Sequence, residues 1–267
     1  MKKLSIIAVV IAAVVIASCG GKKSAQNVDM SDSIKSFEQT QIEASIKMHF
    51  DSLAAELGKL KNLPFAQDEQ GKIVLKKEEK QVKPDSLLDP AIAENATTLA
   101  EKYRALVALQ IDKQIATMYE LPTDEFNKSI TKLVADINDP SFKVFENTNN
   151  LYETSQALYD AMNENGRINY FWQMAATSLV EQFYVASQKA DTFLASFDDE
   201  AAANSTFRFI LLKDAIERLQ EYDPEIAPVA EALQPLDVLN ATTVAELKTQ
   251  LQEAKEPIAA AREALIK

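Results

Sequence analysis

The side chains that could carry chemistry are few. The chain has one cysteine, Cys19, and one histidine, His49. A single histidine rules out a multi-histidine metal site, and a histidine-based serine triad could use only His49. His49 lies between Met48 and Phe50 in a stretch of helical periodicity, where an edge histidine is a simpler reading than a general base. Only Gly58, Gly71 and Gly166 occur beyond Gly21, which leaves no glycine-rich loop to cradle a phosphate. Ser129-Ile130-Thr131-Lys132 has the S-x-x-K spacing of serine–lysine acyl enzymes, but no S-x-N or K-T-G element accompanies it. Acidic residues are abundant, so an envelope glycan hydrolase or lyase working through carboxylates stays open, although no pair stands out by spacing. No catalytic residue, metal ligand or cofactor is assigned.

One stretch could line a small-molecule pocket. Tyr170, Phe171, Trp172, Phe183 and Tyr184 surround Glu181, the only charged residue between Ile168 and Gln188. A carboxylate in apolar surroundings is paired, shifted in pKa or placed at the helix edge. The ligand-binding candidates are therefore Tyr170, Trp172, Glu181 and Tyr184. The competing reading is a packed aromatic core with Glu181 at its rim.

Helices must position these groups. Apolar residues recur at helical spacing from about 33 to 61 (Ile42, Ile46, Phe50, Leu53, Leu57, Leu60), and again at 90–119, 123–138, 141–165, 168–197, 200–222, 224–234 and from Thr243 onward. Three Asp-Pro pairs, Asp89-Pro90, Asp139-Pro140 and Asp223-Pro224, mark helix starts, because aspartate caps free N–H groups and proline at the first position forfeits no needed donor. Asn165-Gly166 predicts a left-handed helix end, and Thr243-Val-Ala-Glu246 a capping box. The segment 168–197 is apolar over most of its circumference, which places it at the centre of a bundle. The final helix keeps a narrow seam from Val244 through Leu247, Leu251 and Ile258 to Leu265, a width that suits packing against one partner helix. Residues 62–89, with Pro64, Gly71, Pro84 and five lysines, predict an irregular protruding loop or small hairpin. No strand alternation or fixed-period repeat is present. The expected architecture is all-α: a multi-helix bundle or helical-hairpin array of about seven to eight helices, forming a single domain over 32–267.

The amino-terminal residues explain where such a body would act. Lys2 and Lys3 precede the apolar run Leu4–Ala17, and Ile16-Ala17-Ser18-Cys19 places small residues before a cysteine. The run is too short for a mature membrane span and has the layout of a secretory signal. On these residues the chain resembles a bacterial lipoprotein precursor. The resemblance implies a signal peptide over 1–18, cleavage before Cys19, and lipid attachment at Cys19. Gly20 rather than aspartate after the cysteine implies transfer to the outer membrane, with residues 19–31 as a flexible tether. Losing Lys2 and Lys3 with the signal takes the net charge from −12 to −14, and most of the excess acid lies beyond residue 90. Such a surface repels nucleic acid. Asp32-Ser33-Ile34, Asp51-Ser52-Leu53 and Asp85-Ser86-Leu87 resemble the D-[ST]-aliphatic sequon that some Gram-negative bacteria O-glycosylate. Ser33 and Ser86 are expected at exposed positions and Ser52 within a helix. The function expected from all of this is a non-enzymatic binding or scaffolding module of the envelope. It would be held to the membrane by acyl chains and would recognise an envelope protein.

Overall fold

The computed structural model describes Met48 and residues 75–145, 155–221 and 223–266. Cys19, Ser33, His49, Ser52, the expected helix over 33–61 apart from Met48, and residues 62–74 of the lysine-rich loop lie outside the described residues. The described residues fall in one compact unit, Met48–Lys267. They build an all-α bundle with eight helices of seven residues or more: α1 (Leu99–Met118), α2 (Asp124–Ile137), α3 (Ser155–Glu164), α4 (Ile168–Gln188), α5 (Asp199–Gln220), α6 (Ala227–Leu233), α7 (Val244–Glu253) and α8 (Lys255–Leu265). There is no strand among the described residues. None of these helices is long and apolar enough to cross a membrane.

Helix α4 is the axis, as its all-round apolar composition predicts. It packs against α1, α3, α5, α7 and α8, and buries Trp172, Leu179, Val180, Phe183 and Ala186. Phe183 meets Phe209 of α5 edge to face at 5.8 Å. Helix α2 shows the opposite pattern, burying Phe126, Leu133 and Ile137 on one stripe and leaving most of the rest exposed.

The punctuation works, with corrections to the helix boundaries. Each Asp-Pro aspartate accepts a backbone N–H two residues on: Ala91, Ser141 and Glu225 at 2.9, 2.8 and 2.9 Å. The turns they start are short, however. Pro140–Phe145 and Pro224–Ile226 are 3-10 helices. Only Ile92–Asn95 follows Pro90 before the chain breaks and α1 begins anew. The new start has its own signal in Thr98-x-x-Glu101, a reciprocal capping box. Backbone N–H groups of Thr98 and Thr97 hold the Glu101 carboxylate down to about 2. Gly166 takes φ 67° after α3, the left-handed geometry that favours glycine. At Thr243 the box is half formed: Thr243 accepts from Glu246, but the Glu246 carboxylate turns back to Thr242 instead.

Two further expected helices divide. The segment 168–197 ends at Gln188, where Ser187 and Gln188 side chains donate to the Tyr184 carbonyl and compete for the acceptors of the last turn. A one-turn helix, Ala190–Phe193, follows. The carboxy-terminal helix divides at Ala254 because Pro257 has no N–H to continue the ladder, and it sits instead in the first turn of α8. The seam survives the break: Leu247, Leu251 and Ile258 are fully buried, and Leu265 nearly so, against α4 and its neighbours.

Candidate functional site

Charge should be rare inside such a bundle, yet an arginine and two carboxyls meet in its interior. Helix α4 supplies Glu181, and three residues later on the same face Tyr184. Helix α1 supplies Asp112 and α8 supplies Arg262. The described end of the lysine-rich segment, residues 84–88, closes the cluster from the fourth side.

Arg262 organises it. Its Nε and Nη2 both donate to Glu181, to Oε2 and Oε1, at 2.7 Å each, the two-pronged geometry that fits a guanidinium to a carboxylate. Nη2 also donates to the Ser86 carbonyl at 2.8 Å and lies 3.6 Å from Asp112 Oδ2. The guanidinium stands over the Tyr184 ring, 4.0 Å from its centre, where the π face favours a cation. Asp112 accepts the Leu88 N–H at 2.5 Å through Oδ2. Both carboxyl side chains have no exposed surface, and the arginine side chain is 12 % exposed.

One cation thus faces two buried acids, and the arrangement resolves by keeping a proton. Burial, then the neighbouring Glu181 charge, push Asp112 well above the usual aspartate range, against the pull of the Leu88 N–H and Arg262. Burial also raises Glu181, with Arg262 opposing it. The geometry assigns the proton to Asp112, because Glu181 holds both short arginine contacts. Asp112 Oδ1 accepts no hydrogen bond; protonated, this carboxyl lies within reach to donate to Glu181. The cluster is then a charged pair with one neutral acid beside it. As arranged, neither acid touches solvent, and both Glu181 oxygens are taken by Arg262.

This proton makes a pH signature. A carboxyl with folded pKa above its unfolded value, about 3.9 for aspartate, binds its proton more tightly in the folded state. Its contribution is full below that value and is lost as pH rises through the raised folded value. An asparagine side chain here would present the same shape as protonated aspartate, with its oxygen accepting from Leu88 and its amide donating to Glu181. We therefore expect Asp112→Asn to match wild type within about 1 kcal/mol near pH 4. It should become the more stable of the two as pH rises, in urea midpoints measured at a series of pH values. A parallel pH dependence for the two proteins would show that Asp112 holds no proton in the fold.

The four expected ligand residues do not form one pocket. Glu181 and Tyr184 come together on Arg262. Glu181 is not at the rim, as the aromatic-core reading expected, but fully buried, because Arg262 compensates its charge. Trp172 is fully buried elsewhere, with its ring edge-to-face against Phe171 at 5.4 Å and Tyr159 at 6.0 Å. Tyr170 lies at the start of α4, stacked on Tyr103 at 4.7 Å, and its hydroxyl donates to Glu225 at 3.3 Å. Tyr103 in turn donates to Asp139, and burial with that carboxylate pushes its hydroxyl well above the ordinary tyrosine value.

Ser86 is 7 % exposed and not on an open loop as its sequence suggests, because Arg262 draws its carbonyl inward. The turn at residues 77–81 remains at the surface, with Lys80 paired to Glu120 at 2.8 Å. Among the described residues no group of three His, Cys, Asp or Glu side chains is placed to hold a metal ion. Comparison of the chain with protein-family models, with curated proteins and with solved structures finds no match.

Proposed function

We propose that the protein is a lipid-anchored component of the bacterial envelope, an α-helical module that acts by binding or scaffolding rather than by catalysis. The observation that carries the reading is the Lys2-Lys3, Leu4–Ala17, Ser18-Cys19 succession, whose residue types match each step of lipoprotein export and processing. Acyl chains on Cys19 would confine the body to a membrane surface, which needs more than one chain to be stable. Two features of the bundle support the non-catalytic part. The buried acids Asp112 and Glu181 are committed to Arg262 and to each other, Asp139 accepts from Tyr103 and the Ser141 N–H, and the aromatic side chains near Trp172 pack on one another. The acidic surface favours a partner that is neutral or basic over nucleic acid.

Intact mass of the protein extracted from membranes of its native host tests the anchor. The expected species begins at Cys19 and carries diacylglycerol, and Cys19→Ser accumulates with its signal uncleaved. A mature chain without lipid, or one starting at another residue, overturns the reading. Release of sugar from peptidoglycan by the purified mature protein, abolished by one carboxylate substitution, would replace the non-catalytic part with the hydrolase or lyase alternative.

A further inference from the structure

A second buried arginine behaves differently from Arg262. Arg104, on the inner face of α1, is 8 % exposed. Its Nε donates to the Leu265 carbonyl at the end of α8 at 2.8 Å, and its Nη1 donates to Gln173 Oε1 of α4 at 2.6 Å. Both acceptors are neutral. Among the described residues no carboxylate lies within ion-pair distance of it. Glu101, one turn earlier, gives its carboxylate to the Thr97 and Thr98 cap. Burial accordingly pulls the Arg104 pKa down, opposed by the charge of Glu101. Taking a cation out of water without a counter-charge costs several kcal/mol, so this position is a deficit in the fold.

Gln173 adds a second deficit. Its side chain has no exposure, and Nε2 meets no acceptor. The amide cannot be turned round to cure this, because a guanidinium only donates and so requires Oε1 to face it. Amide bond lengths put Nε2 about 2.2 Å from its own oxygen. It therefore lies within roughly 4.8 Å of Arg104 Nη1, close enough for one oxygen to accept from both at about 2.9 Å. A buried positive charge and an orphan amide N–H thus stand within roughly 4.8 Å of each other, in reach of a single acceptor oxygen.

We propose that Arg104 and Gln173 form a binding site for a single carboxylate group. One negative charge balances the one guanidinium, and two oxygens in a plane match its fork. A phosphate dianion would bring a second charge that nothing at the site offsets. The carboxylate is that of a free monocarboxylic acid. The site does not depend on the lipid anchor, so its test is separate from that of the proposed function.

The test uses the purified chain 19–267 in chloride buffer, with sodium acetate replacing sodium chloride at constant ionic strength. The thermal midpoint should rise with acetate and saturate, as linkage to a ligand of the folded state requires. Labelled [13C]acetate should broaden in NMR in the same concentration range. Gln173→Met should weaken acetate binding by about tenfold while keeping Arg104 in place. Gln173→Glu should raise the midpoint without acetate and abolish the response to it, since the variant supplies the carboxylate itself. Equal midpoints in acetate and chloride, or an undiminished response in Gln173→Glu, overturn the proposal.

Discussion

Arg262→Met should cost the fold about 3–5 kcal/mol at neutral pH, the usual penalty for removing one partner of a buried ion pair. Against a total stability of about 5–15 kcal/mol for a domain, that is a large fraction. The loss has several parts. Glu181 would keep a buried charge with both short hydrogen bonds gone, Ser86 would lose the donor to its carbonyl, and Tyr184 would lose its cation. Arg262→Lys should recover only part of this, because an ammonium cannot span two Glu181 oxygens and the Ser86 carbonyl in one plane. The double variant Glu181→Leu with Arg262→Met should recover most of it, since an apolar pair leaves no charge to desolvate. The single variant should also regain ground in acid, where both carboxyls take up protons. Urea midpoints for these variants at pH 5 and 7.5 decide the matter. An Arg262→Met protein within about 1 kcal/mol of wild type at pH 7.5 would mean the cluster contributes nothing to holding α8.

Leu247→Asp and Leu251→Asp should each unfold the chain or bring it close to unfolding, at a cost above about 4 kcal/mol. The two leucines have no exposed surface, and their helix packs against α4 and α5. Lys248, the basic residue nearest to them in sequence, reaches out to Asp191 at 2.7 Å rather than inward toward an introduced carboxylate. The narrow seam of the carboxy-terminal helices is thus used inside the molecule. Far-ultraviolet circular dichroism and size-exclusion chromatography distinguish the possibilities. A helical, monomeric protein with either substitution would mean the seam serves an interface between molecules rather than the core.

What the sequence makes legible here follows from how local each cause is. Helical spacing identifies α2, where Phe126, Leu133 and Ile137 are four to seven residues apart, and an unbroken apolar circumference identifies α4 as the axis. Caps are local as well, which is why Asp139, Asp223 and Gly166 mark real turns. The Thr98-x-x-Glu101 box is just as legible but is overshadowed by Pro90, so the break before α1 is missed. The candidate site is different in kind. Glu181 reads as a rim residue until Arg262 is placed beside it, and that partner lies 81 residues away in the chain. Nothing in the periodicity of α1 separates Asp112 from an outward-facing acid, because its neighbour Ile111 is buried too. Ser86 reads as exposed because its surroundings are lysine and proline, whereas its position is set by a donor on the last helix.

That donor connects residues 176 positions apart, and the separation bears on how the chain assembles. Until α8 arrives, α1 and α4 can close over Asp112 and Glu181 only by protonating both acids or by trapping charge without a counter-ion, and either costs free energy. Docking of α8 and drying of the interior then become one event rather than two. Loop closure over most of the described chain has to come before the clasp forms, and contacts of such long range slow the search for the native state. The same wiring places the first described segment and the final helix under common control, so that fraying at either end loosens the other.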